Sequence, residues 1–219
     1  MNKPSFEDMR GAMVDSQLRV NGVNEPRIVA AMAAVPRERF VPRDRALVAY
    51  VDEDVAVAPG RALMNPMSFG RLLVETRIAA DERVLIVGAG TGYSAAVIVR
   101  LAGSVVALEE DPALADTARQ LLTSVHAADV EVVEGALTEG WATGAPYDVV
   151  FIDGAYEELP AALLAQVRDG GRIAGVQIDG GVPRGRVAVV ASGAVGGVPF
   201  GDIGAPLLPG FRKVRAFQF

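Results

Sequence analysis

Cysteine is absent from this 219-residue chain, which rules out disulfides, thiolate metal sites and a cysteine nucleophile. Histidine is nearly absent. The single His126 falls in the helix-to-strand connection Ser124 to Asp129, where a surface position is expected rather than an acid–base role. No apolar run approaches the roughly 20 residues that span a bilayer. The stretch Met1 to Arg10 lacks the apolar core of a signal peptide, so a cytoplasmic protein with no membrane partner is the expectation. Positive charge is also scarce: 21 Lys and Arg face 27 Asp and Glu, for a net charge of −6. Nucleic acid is not an expected partner, because phosphate contact requires a cationic face. Small molecules, peptides and neutral proteins stay open.

What is present is a core. Hydrophobic residues make up 51% of the chain, and their pattern fits one globular domain over residues 1–219. Residues 1–80 read as a helical and loop region. Met9, Met13, Val14 and Leu18 form one helical face, and Asn24-Glu-Pro26 starts a second helix that Pro36 ends. A loop bounded by glycine and proline then runs from Ala58 to Pro66. From residue 81 onward strands and helices alternate, as in a parallel sheet with crossover helices. Strands are predicted at Val84–Val87, Val105–Leu108, Val130–Val133 and Val149–Ile152, and a helix from Leu159 to Val167. Arg172–Ile178, Gly185–Ala191 and Lys213–Phe219 read as strands of an antiparallel edge, with Ser192 to Gly197 as a turn.

The most specific local signal is Arg83-Val-Leu-Ile-Val-Gly-Ala-Gly-Thr-Gly-Tyr93. An apolar strand runs into Gly88, Ala89, Gly90 and Gly92, then into a helical segment beginning at Tyr93. Residues without Cβ atoms let the chain turn sharply and let a ligand approach the backbone, and the helix start offers unpaired N–H groups. A dinucleotide fingerprint would read G-x-G-x-x-G. Here the spacing is G-x-G-x-G, as in doubly wound methyltransferases that use S-adenosylmethionine, although an ordinary strand-to-helix turn has the same local shape. Glu109 ends the next apolar strand 21 positions after Gly88. An acidic residue about 20 positions on is the usual acceptor for a ribose diol. Glu110 beside it is either a second cofactor contact or solvated, and Asp111-Pro112 reads as a helix cap. Tyr93 fits either cofactor contact or helix-start packing.

Taken in order, Val35-Pro-Arg37, Phe40-Val-Pro42, Ala49-Tyr50, Asp52, Gly60, Pro66, Gly92-Tyr93, Glu109, Gly140-Trp141, Tyr147-Asp148 and Gly170-Gly-Arg172 resemble the protein-L-isoaspartate O-methyltransferase family. The resemblance covers most of the chain. It implies an α/β, doubly wound, Rossmann-like fold with a seven-stranded mixed sheet and N-terminal helices. It also implies S-adenosylmethionine as cofactor, S-adenosylhomocysteine as product, and a protein or peptide with an isoaspartyl carboxylate as methyl acceptor. Protein repair is the implied role.

Four departures from the family pattern concern the site. The family loop Gly-Gln-Thr-Ile-Ser-Gln-Pro becomes Gly60-Arg-Ala-Leu-Met-Asn-Pro66, so Ala62 and Met64 stand where hydroxyls are expected. Ile86 replaces an acidic residue before the glycine turn. Ala136 follows Gly135 where a carboxylate would meet the adenine amine. Asp153 appears after the fourth strand, where it could orient a substrate, cap the next helix or bind a divalent cation; a cation needs further oxygen ligands, and no second one is evident, so no metal is expected. The expectation is methyl transfer with reduced or altered isoaspartyl activity. Transfer to another small or peptide substrate, or a non-catalytic binding module, are the alternatives.

Overall fold

A computed structural model describes residues 4–213. The chain enters through α1 (Phe6–Met13), whose Ser5 and Asp8 form a reciprocal capping box. The helix runs on through a π turn, Val14–Leu18, so that Met13, Val14 and Leu18 all reach the core. In α2 (Pro26–Ala34) the cap is Glu25, which accepts from the backbone of Arg27 and Ile28, with Pro26 in the first turn. The stretch expected to be a loop is in fact a hairpin, β1 (Val55–Ala58) and β2 (Arg61–Leu63), turning at Pro59-Gly60. Gly60 has φ +70°, a conformation that favours glycine. Next, α3 (Pro66–Thr76) starts on Asn65, whose side chain accepts from the Ser68 N–H.

The core then alternates as expected: β3 (Arg83–Val87), α4 (Tyr93–Ile98), β4 (Ser104–Glu109), α5 (Pro112–Ser124), β5 (Glu131–Glu134), β6 (Tyr147–Tyr156), α6 (Ala161–Leu164) and β7 (Val167–Asp179). β8 (Val182–Ala191), β9 (Ala194–Gly196) and β10 (Pro199–Phe200) complete it. The strand order is β10-β8-β7-β6-β3-β4-β5, with β9 on β8, so the described sheet has eight strands rather than seven. β7 to β5 pair in parallel, and β8 joins antiparallel to β7. The Ser192–Gly197 turn folds back far enough to pair as β9. The predicted Leu159–Val167 helix shrinks to one turn, because Val167 already pairs with Tyr147. Of the predicted strand Lys213–Phe219, residues 214–219 lie outside the described residues and Lys213 belongs to no regular element.

β3 and β6 are apolar on both faces because both are covered. Val84, Ile86 and Phe151 face the layer of α1–α4, while Leu85, Val87 and Ile152 face α6 and the segment around Leu208. Between β3 and β6 the winding direction reverses, and in open α/β sheets ligands bind beyond the strand ends at such a switch point. No helix among the described residues is long and apolar enough to cross a membrane.

Candidate active site

At the switch point the glycine turn takes the backbone shape its residues permit. Gly88, Gly90 and Gly92 have φ of +83°, +56° and +93°. A Cβ on Gly92 would sit 3.2 Å from Ala118 of α5, so close helix packing needs glycine there. Around Gly90, by contrast, a Cβ would meet nothing within 4 Å, which leaves backbone facing open space. Thr91 donates to the Phe40 carbonyl at 2.6 Å and ties the turn to the N-terminal layer. Glu109 lies at the end of β4, fully buried, and accepts from the Gly90 N–H at 2.7 Å. The turn and the carboxylate meet as their spacing implied. Exposed Glu110 and Ala136 stand at the rim, and neither side chain is held in the crevice.

Two separate segments cover this crevice. From the hairpin, Arg61 reaches Glu109 with a two-pronged ion pair, Nη1 to Oε1 at 2.5 Å and Nη2 to Oε2 at 2.7 Å. Burial works against the Arg61 charge, yet Glu109, Asp153 and Glu110 together hold its pKa above the usual arginine value. From the other side comes the segment following β10. The Ala155 N–H donates to Pro206 at 2.7 Å and the Leu208 N–H to Ala155 at 3.0 Å. The Leu208 side chain fills the space over both Gly88 and Gly154, where added Cβ atoms would come within 2.9 and 2.7 Å of it.

Asp153 stands just beyond the last regular pair of β3 and β6, Val87 with Ile152, where the β6–β7 register also shifts. Burial pushes its carboxyl up to about 6, against the pull of the Arg61 and Arg37 charges. Arg37 is completely buried and donates to the carbonyls of Ala49 at 2.6 Å and Met64 at 2.7 Å. Its guanidinium lies 4.7 Å from the Tyr93 ring centroid, and Phe40 and Phe69 pack edge-on or tilted against the same ring at 5.7 Å. Tyr93 is therefore held as packing between the helix start and the N-terminal layer. Met64 is buried in the core cluster on that same face, next to Arg37 through its carbonyl. Arg37 Nη1, Ser68 Oγ, Tyr93 Oη and Ser94 Oγ are buried without a hydrogen-bond partner, a concentration of unmet polar groups that stable cores avoid.

Residues 9–180 match the protein-L-isoaspartate(D-aspartate) O-methyltransferase family. The chain belongs to this family. It is 37% identical over 164 residues to the protein-L-isoaspartate O-methyltransferase of Methanoculleus marisnigri, covering 75% of this chain and 74% of that one. Against protein-L-isoaspartate O-methyltransferase 1 of Rhodopseudomonas palustris (strain HaA2) it is 37% identical over 169 residues, 77% of this chain and 69% of the relative. A solved protein-L-isoaspartate O-methyltransferase superposes with TM-score 0.75 at 22% identity over 90% of this chain, which spans 65% of that longer protein. A Plasmodium falciparum relative solved with S-adenosyl-L-homocysteine has TM-score 0.76 at 13% identity, with 90% and 97% of the two chains covered. These last two likenesses establish the methyltransferase fold.

The residues present suit a nucleoside in kind. A buried carboxylate ends β4, and bare backbone is offered at Gly90. The Arg61 fork is chemically a stand-in for a diol, since it donates two hydrogen bonds to the two oxygens of one carboxylate. Arg61 and Arg37 were the residues sequence reasoning did not assign to the site. Arg37 lay within a noted motif, and Arg61 was the one cation in a loop that had lost its hydroxyls.

Proposed function

We propose that this protein transfers a methyl group from S-adenosylmethionine to the carboxylate of isoaspartyl residues in proteins or peptides, acting in protein repair in the cytoplasm. The observation that carries the reading is the pairing of the Gly88–Gly92 turn with Glu109 at the switch point, within a chain of this family. When bound, the cofactor supplies an electrophilic sulfonium methyl. The protein's own tasks are binding, orientation and exclusion of water.

Glu109 is suited to accept the ribose hydroxyls and the Gly88–Gly92 backbone to approach the amino-acid end. Ala89 and Tyr93 build the wall of that turn, with Glu110 and Ala136 at its rim. An isoaspartyl carboxylate titrates near about 4 and arrives ionised, so the site needs no strong base. It needs donors to orient the acceptor. Ala62 and Met64 supply none, and a charge-assisted hydrogen bond contributes roughly 1.5–3 kcal/mol. Turnover below that of ordinary relatives follows.

The test is transfer of labelled methyl to an isoaspartyl peptide, with the aspartyl isomer as control. The unmodified chain should methylate only the isoaspartyl form, slowly. Met64→Ser should gain about tenfold, the value of one recovered hydrogen bond. No transfer by either protein would sink the assignment, and full family-like turnover by the unmodified chain would show that the loop hydroxyls are dispensable.

A further inference from the structure

In this conformation Glu109 has no acceptor capacity left. Oε1 takes Arg61 Nη1 and the N–H groups of Glu110 at 3.0 Å and Asp111 at 3.1 Å, while Oε2 takes Arg61 Nη2 and the Gly90 N–H. A carboxylate offers about four lone-pair sites. Three of the donors are backbone groups of the strand end and its neighbouring turn. They belong to the glycine turn and to the connection from β4 into α5, so none moves independently of the backbone. Arg61 is different: it is brought in from the β1–β2 hairpin, 48 residues away in sequence, and it alone can withdraw. Its Nη2 also lies 3.5 Å from where a Gly88 Cβ would stand, so the guanidinium lies over the end of β3. The strand order β6-β3-β4 then sets Glu109 on one side of it and Asp153 on the other.

Resting on the proposed use of S-adenosylmethionine, we infer that Arg61 is a two-position residue. It is parked on Glu109 in the free protein and turns to Asp153 when the ribose diol takes Glu109. Two consequences follow. Cofactor binding must displace an internal competitor, which weakens its apparent affinity by the fraction of protein in the parked state. The turned guanidinium also pairs with Asp153 and leaves Glu109 to the ribose; the net charge of the crevice does not change, but an anionic acceptor meets an Asp153 masked by a cation only after the cofactor is in place. Arg61 thereby takes part in selecting a carboxylate acceptor, from the same hairpin loop that has lost its hydroxyls.

Calorimetric titration with S-adenosylhomocysteine tests this without any turnover. Arg61→Gln should bind about tenfold tighter than the unmodified chain, as expected if the parked state holds about nine-tenths of the protein. Asp153→Asn should weaken binding several-fold when Arg61 is present, because the displaced guanidinium loses its second seat. In the Arg61→Gln background the same change should have no effect. Arg61→Lys keeps the charge without the fork, should fall between, and serves if Arg61→Gln does not fold. Binding by Arg61→Gln, or by Arg61→Lys in its place, no tighter than by the unmodified chain overturns the inference while leaving the cofactor reading intact. An equal Asp153→Asn effect in both backgrounds overturns the hand-over to Asp153. Absence of binding in every protein overturns the inference and the cofactor reading together.

Discussion

Asp153 is the residue whose position most alters the chemistry of its surroundings. It sits where β6 leaves its regular pairing with β3, half-buried between two arginines, and burial pushes its carboxyl up to about 6. An unfolded aspartyl side chain titrates near 3.9. Between those two values the folded chain holds more protons than the unfolded one, so this group makes stability fall as pH rises from about 4 to about 6, then levels off. Asp153→Asn removes that contribution. Urea midpoints taken at about pH 4 and about pH 7 should therefore diverge, with the variant gaining relative to the unmodified chain at the higher pH. Parallel pH profiles for the two proteins would show that Asp153 titrates normally.

Among the elements, α3 links the hairpin to the sheet. Asn65 caps its start and also reaches Asp54 beside β1, at 3.1 Å. Its end is secured from β7: Arg172 donates to the carbonyls of Thr76 and Arg77 and to both oxygens of Glu82. A cation there also complements the negative end of the helix. Side-chain exposures of 15% for Arg172 and 12% for Glu82 put this pair beyond the near-zero value of surface ion pairs. Arg172→Ala should cost about 2 kcal/mol in urea unfolding, the scale of a hydrogen bond to a charged group. A loss below about 0.5 kcal/mol would mean that water replaces the arginine at the helix end.

For the molecule as a whole, the two apolar clusters lie on opposite faces of the same strands, with β3, β4 and β6 contributing alternate residues to each. Neither cluster can melt without exposing the other face of those strands. Residues 4–213 should accordingly unfold as one unit. Trp141, the single tryptophan, packs on the α6 side, whereas far-UV dichroism reports helices on both faces. Their urea transitions should coincide. Separate midpoints would reveal two cooperative units and a domain boundary between the N-terminal layer and the sheet.

Much of this architecture was legible in the chain. β3, β4 and β6 announce themselves as apolar runs ending in glycine or acid, because strands buried on both faces need little polar relief. The cap at Asp111-Pro112 is equally local, and so is the glycine turn, whose positive φ values few other residues tolerate. Glu109 was placed by spacing alone. The hairpin at Pro59-Gly60 was missed because a three-residue strand carries almost no periodicity. The α6 turn was overestimated because helical pattern at Leu159–Val167 yields to the pairing of Val167 with Tyr147. Arg61 escaped notice for a deeper reason. A lone cation in a polar-poor loop is solvated by default, and only the fold brings a buried carboxylate within 2.5 Å of it. Sequence by itself determined the family, through its ordered motifs, and the parallel core of the sheet with the carboxylate at the end of β4, since those strands rest on local backbone preference and apolar patterning. Which groups meet that carboxylate was decided by tertiary structure alone, because an ion pair between residues 61 and 109 depends on the distance that folding closes rather than on either residue's neighbours in the chain.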